Sequence, residues 1–152
     1  YRHTFYTEFF PMFLGDALKT GDWFMPSNGE KVNFAYRSEM AEALANGLAD
    51  SANHKNEVYE ITSNEAYSFD EFAEMLSEAS GNKVTYHDIS VEEFEEQLKN
   101  AGLPEEVLGM SVMSAKTVAD GGLHYTSNHL ENLLGREPKS TSYFIKEFMN
   151  HD

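Results

Sequence analysis

Two short alternating segments, Glu57–Thr62 (EVYEIT) and Val84–His87 (VTYH), flank roughly twenty residues that read as one capped helix. That arrangement constrains the fold more than any other feature of the chain. A strand that leaves through a helix and returns as a strand re-enters in the same direction, so the two are built for a parallel sheet. Parallel strands bury both faces and need neighbours. Two strands cannot make a doubly wound sheet alone, and the neighbours are expected from sequence outside this chain. The intervening helix is well marked. Ser68 stands at the N-cap with Glu71 three residues on, a reciprocal capping box. Phe69, Phe72, Ala73, Leu76 and Ala79 form its buried stripe, and Gly81 ends it.

The remaining segments are read in the same way. Residues 5, 6, 9, 10, 13 and 14 are apolar at helical spacing, with Pro11 predicting a kink and Arg2 marking the end of a strand. Trp23–Met25 and the alternating Lys31–Tyr36 enclose the turn Pro26-Ser27-Asn28-Gly29, which together predict a small hairpin. Ser38 is placed to cap an alanine-rich helix, and Ser90 to cap another whose apolar face is Phe94 and Leu98. Glu105–Ala119 is helical and rich in Met, which suits core packing or, as the lesser alternative, a pocket lining. Asn128–Leu134 and Ser140–Asn150 complete the helices. No linker divides the chain.

Composition narrows the classes of function. The 152 residues carry 26 Asp+Glu against 11 Lys+Arg, a formal charge of −15, with 11 Phe and 8 Tyr. So many aromatics are expected of a folded chain rather than a disordered one. The acidity argues against binding nucleic acid or an anionic membrane, because the long-range field repels phosphate. No apolar run approaches the ~20 residues a bilayer span requires, so a cytoplasmic protein is expected. With zero cysteines, disulfides, thiolate metal sites and a cysteine nucleophile are excluded. The aromatic opening YRHTFYTEFFPMFL is expected of the interior of a longer chain, since free termini are usually polar and frayed.

The motifs of self-contained catalysis are missing. The chain has no glycine-rich dinucleotide turn, P-loop, nucleophile elbow or Tyr-x-x-x-Lys couple, so no catalytic residue is assigned. His124 and His129 lack the spacing and third ligand of a metal site and read as surface residues. Glu92, Glu93, Glu95 and Glu96 read as a solvated face. His3, between Arg2 and an aromatic cluster, divides between a structural and a ligand-facing role.

Segment order carries a resemblance. YRHTFYTEFF, then YRSEMAEALANGLAD, then VYEIT…SFDEFAEML…SGNKVTY and LKNAGLP together resemble the C-terminal half of the NmrA-like proteins. These are atypical short-chain dehydrogenase relatives, and within them the match is to the type 2 NAD(P)H:quinone oxidoreductases. The resemblance implies an α/β chain, the C-terminal part of an NAD(P)-binding Rossmann-like fold. It would comprise a few strands and a mainly helical substrate-side lobe, residues 1–152 forming that single portion, with the glycine-rich N-terminal half absent. NADP or NAD would then be bound mainly by the missing half.

The family's loop Arg-Asn-Gly-aromatic-Tyr passes near the nicotinamide end. Its counterparts here are Arg2, His3 and Thr4 as cofactor-binding residues, and Phe5 and Tyr6 as walls of the acceptor pocket. His3 and Thr4 depart from Asn-Gly. The matching Arg37, Glu39 and Ala41 imply a structural helix start. The activity implied is hydride transfer to a quinone-like small molecule. Two alternatives stand beside it, a non-catalytic dinucleotide-sensing regulator with a protein partner and an acidic helical interaction module. An isolated half would expose a sheet edge and an apolar lobe face, so a homo-oligomer is expected unless more protein is present.

Overall fold

A computed structural model describes residues 1–150 of the chain. Its elements, in order, are β1 (Arg2–His3), β2 (Phe5–Tyr6), α1 (Phe10–Leu14), α2 (Ala17–Thr20), β3 (Asp22–Phe24), β4 (Phe34–Ala35), α3 (Arg37–Ala49), β5 (Glu60–Ile61), α4 (Phe69–Ser80), β6 (Thr85–His87), α5 (Val91–Asn100), α6 (Glu105–Ala119), α7 (His129–Leu134) and α8 (Thr141–Asn150). All three strand ladders are parallel, β1 with β5, β2 with β4, and β3 with β6.

Each strand does join a parallel ladder, but not with the neighbours expected. Strands β5 and β6 do not pair with each other, and each finds a parallel neighbour earlier in this same chain. The hairpin expected around Pro26–Gly29 does not form either. Its two arms join different ladders, because the turn is held by a side chain instead of by a cross-strand partner. The Asp88 carboxylate accepts the backbone N–H of Ser27 at 2.9 Å and those of Asn28 and Gly29 at 3.2 Å. Asn28 and Gly29 both take positive φ there, 52° and 73°, and the glycine does so without steric cost.

The chain divides into two compact units. The first comprises Tyr1–Pro11, Asn33–Ala66 and the chain from Tyr125 onward. Its core is Ala35, Met40, Ala43, Ile61, Leu130, Leu133 and Leu134, with Tyr6 and Tyr59 packed against it. Helix α3 does not use Ser38 as its cap. It begins at Arg37, whose N–H is accepted by both Glu8 carboxylate oxygens at 3.2 and 3.1 Å. An acid brought from elsewhere in the chain thus replaces the local cap and also opposes the helix dipole.

The second unit comprises Met12–Val32 and Tyr67–His124. Trp23, Phe69 and Phe72 are its largest buried side chains, with Trp23 and Phe69 ring centroids 5.1 Å apart and Trp23 Nε1 donating to the Phe13 carbonyl at 2.7 Å. The predicted capping box is present, with Glu71 N–H to Ser68 Oγ at 3.2 Å and Ser68 N–H to Glu71 Oε2 at 2.7 Å. These bonds and Lys31 hold the Glu71 carboxyl below its ordinary pKa. Ser90 caps α5 as predicted. Pro11 does not kink a long helix, because α1 starts at Phe10 and places the proline in its first turn, where its missing N–H costs nothing. No helix among the described residues is long and apolar enough to cross a membrane.

Candidate functional site

Residues 2–6 form one extended run that serves two ladders in succession. Arg2 and His3 pair with Glu60 and Ile61, then Phe5 and Tyr6 pair with Phe34 and Ala35. Thr4 is the joint between them. Its N–H donates to the Ile61 carbonyl at 3.3 Å and its hydroxyl to the Asn33 carbonyl at 2.7 Å. In open parallel sheets, ligands gather outside the carboxyl ends of the strands. Here the five expected site residues are gathered where two such ladders adjoin.

Each is held differently. Arg2 reaches Glu60 on the neighbouring strand, Nη1 to Oε1 at 2.8 Å, an exposed pair worth no more than ~1 kcal/mol. His3 Nδ1 lies 3.3 Å from the thioether sulfur of buried Met40. Sulfur has no proton to give, so Nδ1 carries the hydrogen and Nε2 of the neutral ring is left as an acceptor. Although His3 is largely exposed, partial desolvation of its ring and, less, the positive charge of the N-terminal amine depress its pKa below the ordinary value, which favours that neutral form. Phe5 and Tyr6 are half-buried and, as successive strand residues, project to opposite faces. Tyr6 packs on the core cluster and on Phe9, ring centroids 5.5 Å apart.

Thr4, where the resemblance implies a Gly, carries no backbone strain. Among the described residues, Asn28 and Asn56 are the non-glycine positions with positive φ, so Thr4 sits in ordinary backbone.

The comparisons with known proteins bear on this geometry. No family model matches the chain. Over 149 residues it is 28% identical to quinone oxidoreductase 2 of Escherichia coli (strain K12), covering 98% of this chain and 52% of that protein. The crystal structure of the E. coli NADPH-dependent quinone oxidoreductase complexed with NADPH aligns with a TM-score of 0.87 over 98% of this chain and 52% of its own. The chain is homologous to these oxidoreductases. It matches the C-terminal half of their Rossmann-like fold, as the segment order implies. The Citrobacter sp. triphenylmethane reductase complexed with NADP(H) is 32% identical, with a TM-score of 0.84 over 96% of this chain and 51% of that one. The chain spans about half the length of the curated relatives it matches.

One residue that braces this run escapes a reading of the sequence. Asn33 is wholly buried, and its amide donates to the carbonyls of Ser63 at 3.1 Å and Glu65 at 2.8 Å while its oxygen accepts Tyr125 N–H at 2.9 Å. It thereby fixes the segment leaving β5. The one signal is a lone Asn among alternating apolar residues in KVNFAY. Glu39, also buried, accepts Arg136 Nη1 at 2.6 Å and Lys139 N–H at 3.0 Å, a structural role of the kind the family motif implies. His129 is no surface residue. It is half-buried, accepts Glu60 N–H at 3.0 Å and lies edge-on to Tyr59.

The second unit has an open cavity of about 430 Å³ lined by Pro26, Asn28, Asp88, Ile89, Ser90 and Val91 among others. Asp88 is committed to its turn and is not aimed at a ligand. Among the described residues no three His, Asp or Glu side chains gather as a metal site would require.

Proposed function

We propose that residues 1–152 are the single C-terminal, acceptor-side portion of an NAD(P)H-dependent oxidoreductase that reduces quinone-like acceptors by hydride transfer. One observation carries the reading. The likeness to the E. coli quinone oxidoreductase runs through 98% of the chain, and in that chain the Arg2–Tyr6 run joins two parallel ladders.

A bound reduced nicotinamide supplies the hydride, and with one proton the quinone becomes a hydroquinone. The residues present fit the nicotinamide end of such a cofactor. Arg2 keeps guanidinium nitrogens beyond the one given to Glu60, and His3 offers a bare Nε2 to an amide N–H. Thr4 has spent both donors on Asn33 and Ile61, so it offers only its oxygen and otherwise holds the strand in place. Phe5 lies on the face opposite Tyr6, which packs on the core cluster, and of the two it is Phe5 that supplies aromatic surface for stacking a flat acceptor. The chemistry is chiefly a matter of positioning and dryness, which agrees with a chain that has no general-acid motif.

The test uses the protein at the full length of its reading frame. Addition of a benzoquinone to enzyme saturated with NADPH is expected to accelerate NADPH oxidation. No quinone-dependent rate refutes the proposal. A second reading, a dinucleotide-sensing regulator, is favoured by His3-Thr4 in place of Asn-Gly. It predicts cofactor binding with no turnover on any acceptor.

A further inference from the structure

Phe34 is buried without belonging to the core cluster that its neighbours build. Partners across a ladder share a face, and successive residues alternate. Tyr6 and Ala35 face the core cluster of the first unit, so Phe5 and Phe34, one rung earlier, face the other side. There Phe34 is 2% exposed and meets the fully buried Phe10 edge-on, with ring centroids 5.8 Å apart at 84°. The backbone carrying the two rings is pinned as well. The hydroxyl of Thr4, just before Phe5, donates to the carbonyl of Asn33, just before Phe34. The Asn33 side chain is itself tied to Ser63, Glu65 and Tyr125. Phe5, half-buried, therefore stands beside a ring that is locked on every side.

We propose that Phe34, backed by Phe10, is a positioning residue that sets acceptor specificity by holding the Phe5 ring as a fixed flat wall. The inference rests on the reading of Phe5 as an acceptor wall. A wall that is already ordered loses little entropy when an acceptor stacks on it, and the gain grows with the planar area that overlaps it. Fused-ring quinones, which offer the larger face, are thereby favoured over single-ring ones. Phe34 touches no acceptor and acts only through Phe5. One other occupant competes for the free side of Phe5. The chain spans about half the length of its curated relatives, and the remainder of the same protein would pack there if Phe5 were merely structural. The geometry favours the acceptor, because Phe5 follows the carboxyl end of β1, and ligands gather at the carboxyl ends of parallel strands.

The experiment uses the full-length protein saturated with NADPH and compares menadione, a fused-ring quinone, with para-benzoquinone. The wild type is expected to favour menadione at least tenfold in kcat/KM. Phe34→Leu is expected to raise KM for menadione at least fivefold while kcat stays within twofold, the pattern of lost acceptor binding. KM for para-benzoquinone and for NADPH should stay within twofold. Phe10→Leu should act in the same direction to a smaller extent. Where Phe34→Leu fails to melt cooperatively, Phe5→Leu, at a half-buried position, is expected to give the same selective loss. No preference in the wild type, unchanged selectivity in the variants, or an equal loss for both quinones overturns the proposal and leaves the redox reading standing. A lowered melting temperature of Phe5→Leu with unaltered KM values assigns Phe5 to the remainder of the protein and overturns it likewise. No quinone-dependent rate in the wild type refutes the redox reading, and the proposal falls with it.

Discussion

Asn33 gives the sharpest test of how the site is built. Its side chain satisfies two carbonyls and one N–H, those of Ser63, Glu65 and Tyr125. The bond to Ser63 is buried, and the other two are partly buried. Asn33→Ala leaves the Ser63 carbonyl without a partner in a dry setting, a loss of ~1–3 kcal/mol. The other two groups recover some hydration, so each costs about 0.5–1 kcal/mol on the usual net scale. The sum is about 2–5 kcal/mol, read from urea denaturation followed by tryptophan-independent far-UV circular dichroism. Asn33→Asp is expected to be worse at neutral pH, because it replaces two donors with a charge facing two carbonyl oxygens. That carboxyl should have a folded-state pKa above its unfolded value. Stability it lacks at neutral pH should therefore return as pH falls through the folded pKa, and be fully present below the unfolded one. A loss under about 1 kcal/mol for Asn33→Ala, or equal stability of the Asp variant at pH 7, would refute the account of Asn33 as the hub of this segment.

Three further outcomes are expected. Tyr36 Oη and Thr62 Oγ1 are buried without hydrogen-bond partners among the described residues, so Tyr36→Phe and Thr62→Val should be neutral or raise stability by up to ~1 kcal/mol; a loss in thermal melts would reveal a hidden partner. Asp88→Asn keeps one acceptor where two carboxylate oxygens served three N–H groups, and should cost ~1–3 kcal/mol in urea titration, with little change contradicting its role in the turn. His3 should titrate below its ordinary value when followed by imidazole proton NMR. Since its folded-state pKa is the lower one, its contribution is present above the unfolded pKa and lost as pH falls through the folded one. His3→Asn should remove that part of the acid sensitivity, and an unchanged pH–stability profile would dismiss the desolvation of the His3 ring.

Local rules were legible without coordinates wherever the signal lies within a few residues. The capping box at Ser68 and Glu71, the Ser90 cap, the buried stripe of α4 and the helix α6 all follow from short-range hydrogen bonding and 3.6-residue periodicity. The segment order also sufficed for the kinship with the oxidoreductases.

Partnership across the chain was not legible. Which strand pairs with which, that Glu8 rather than Ser38 caps α3, that Asp88 rather than a hairpin holds Pro26–Gly29, and that Asn33 ties β5 to Tyr125 are contacts between residues 29 to 92 positions apart. A two-residue strand has too few side chains to specify its neighbour by pattern, and a carboxylate serves equally well for any N–H that folding brings within reach. The exposure of Met110 and Met113 belongs to the same class. Periodicity established that α6 is a helix, while only the packing of the second unit decided which of its faces was left to water.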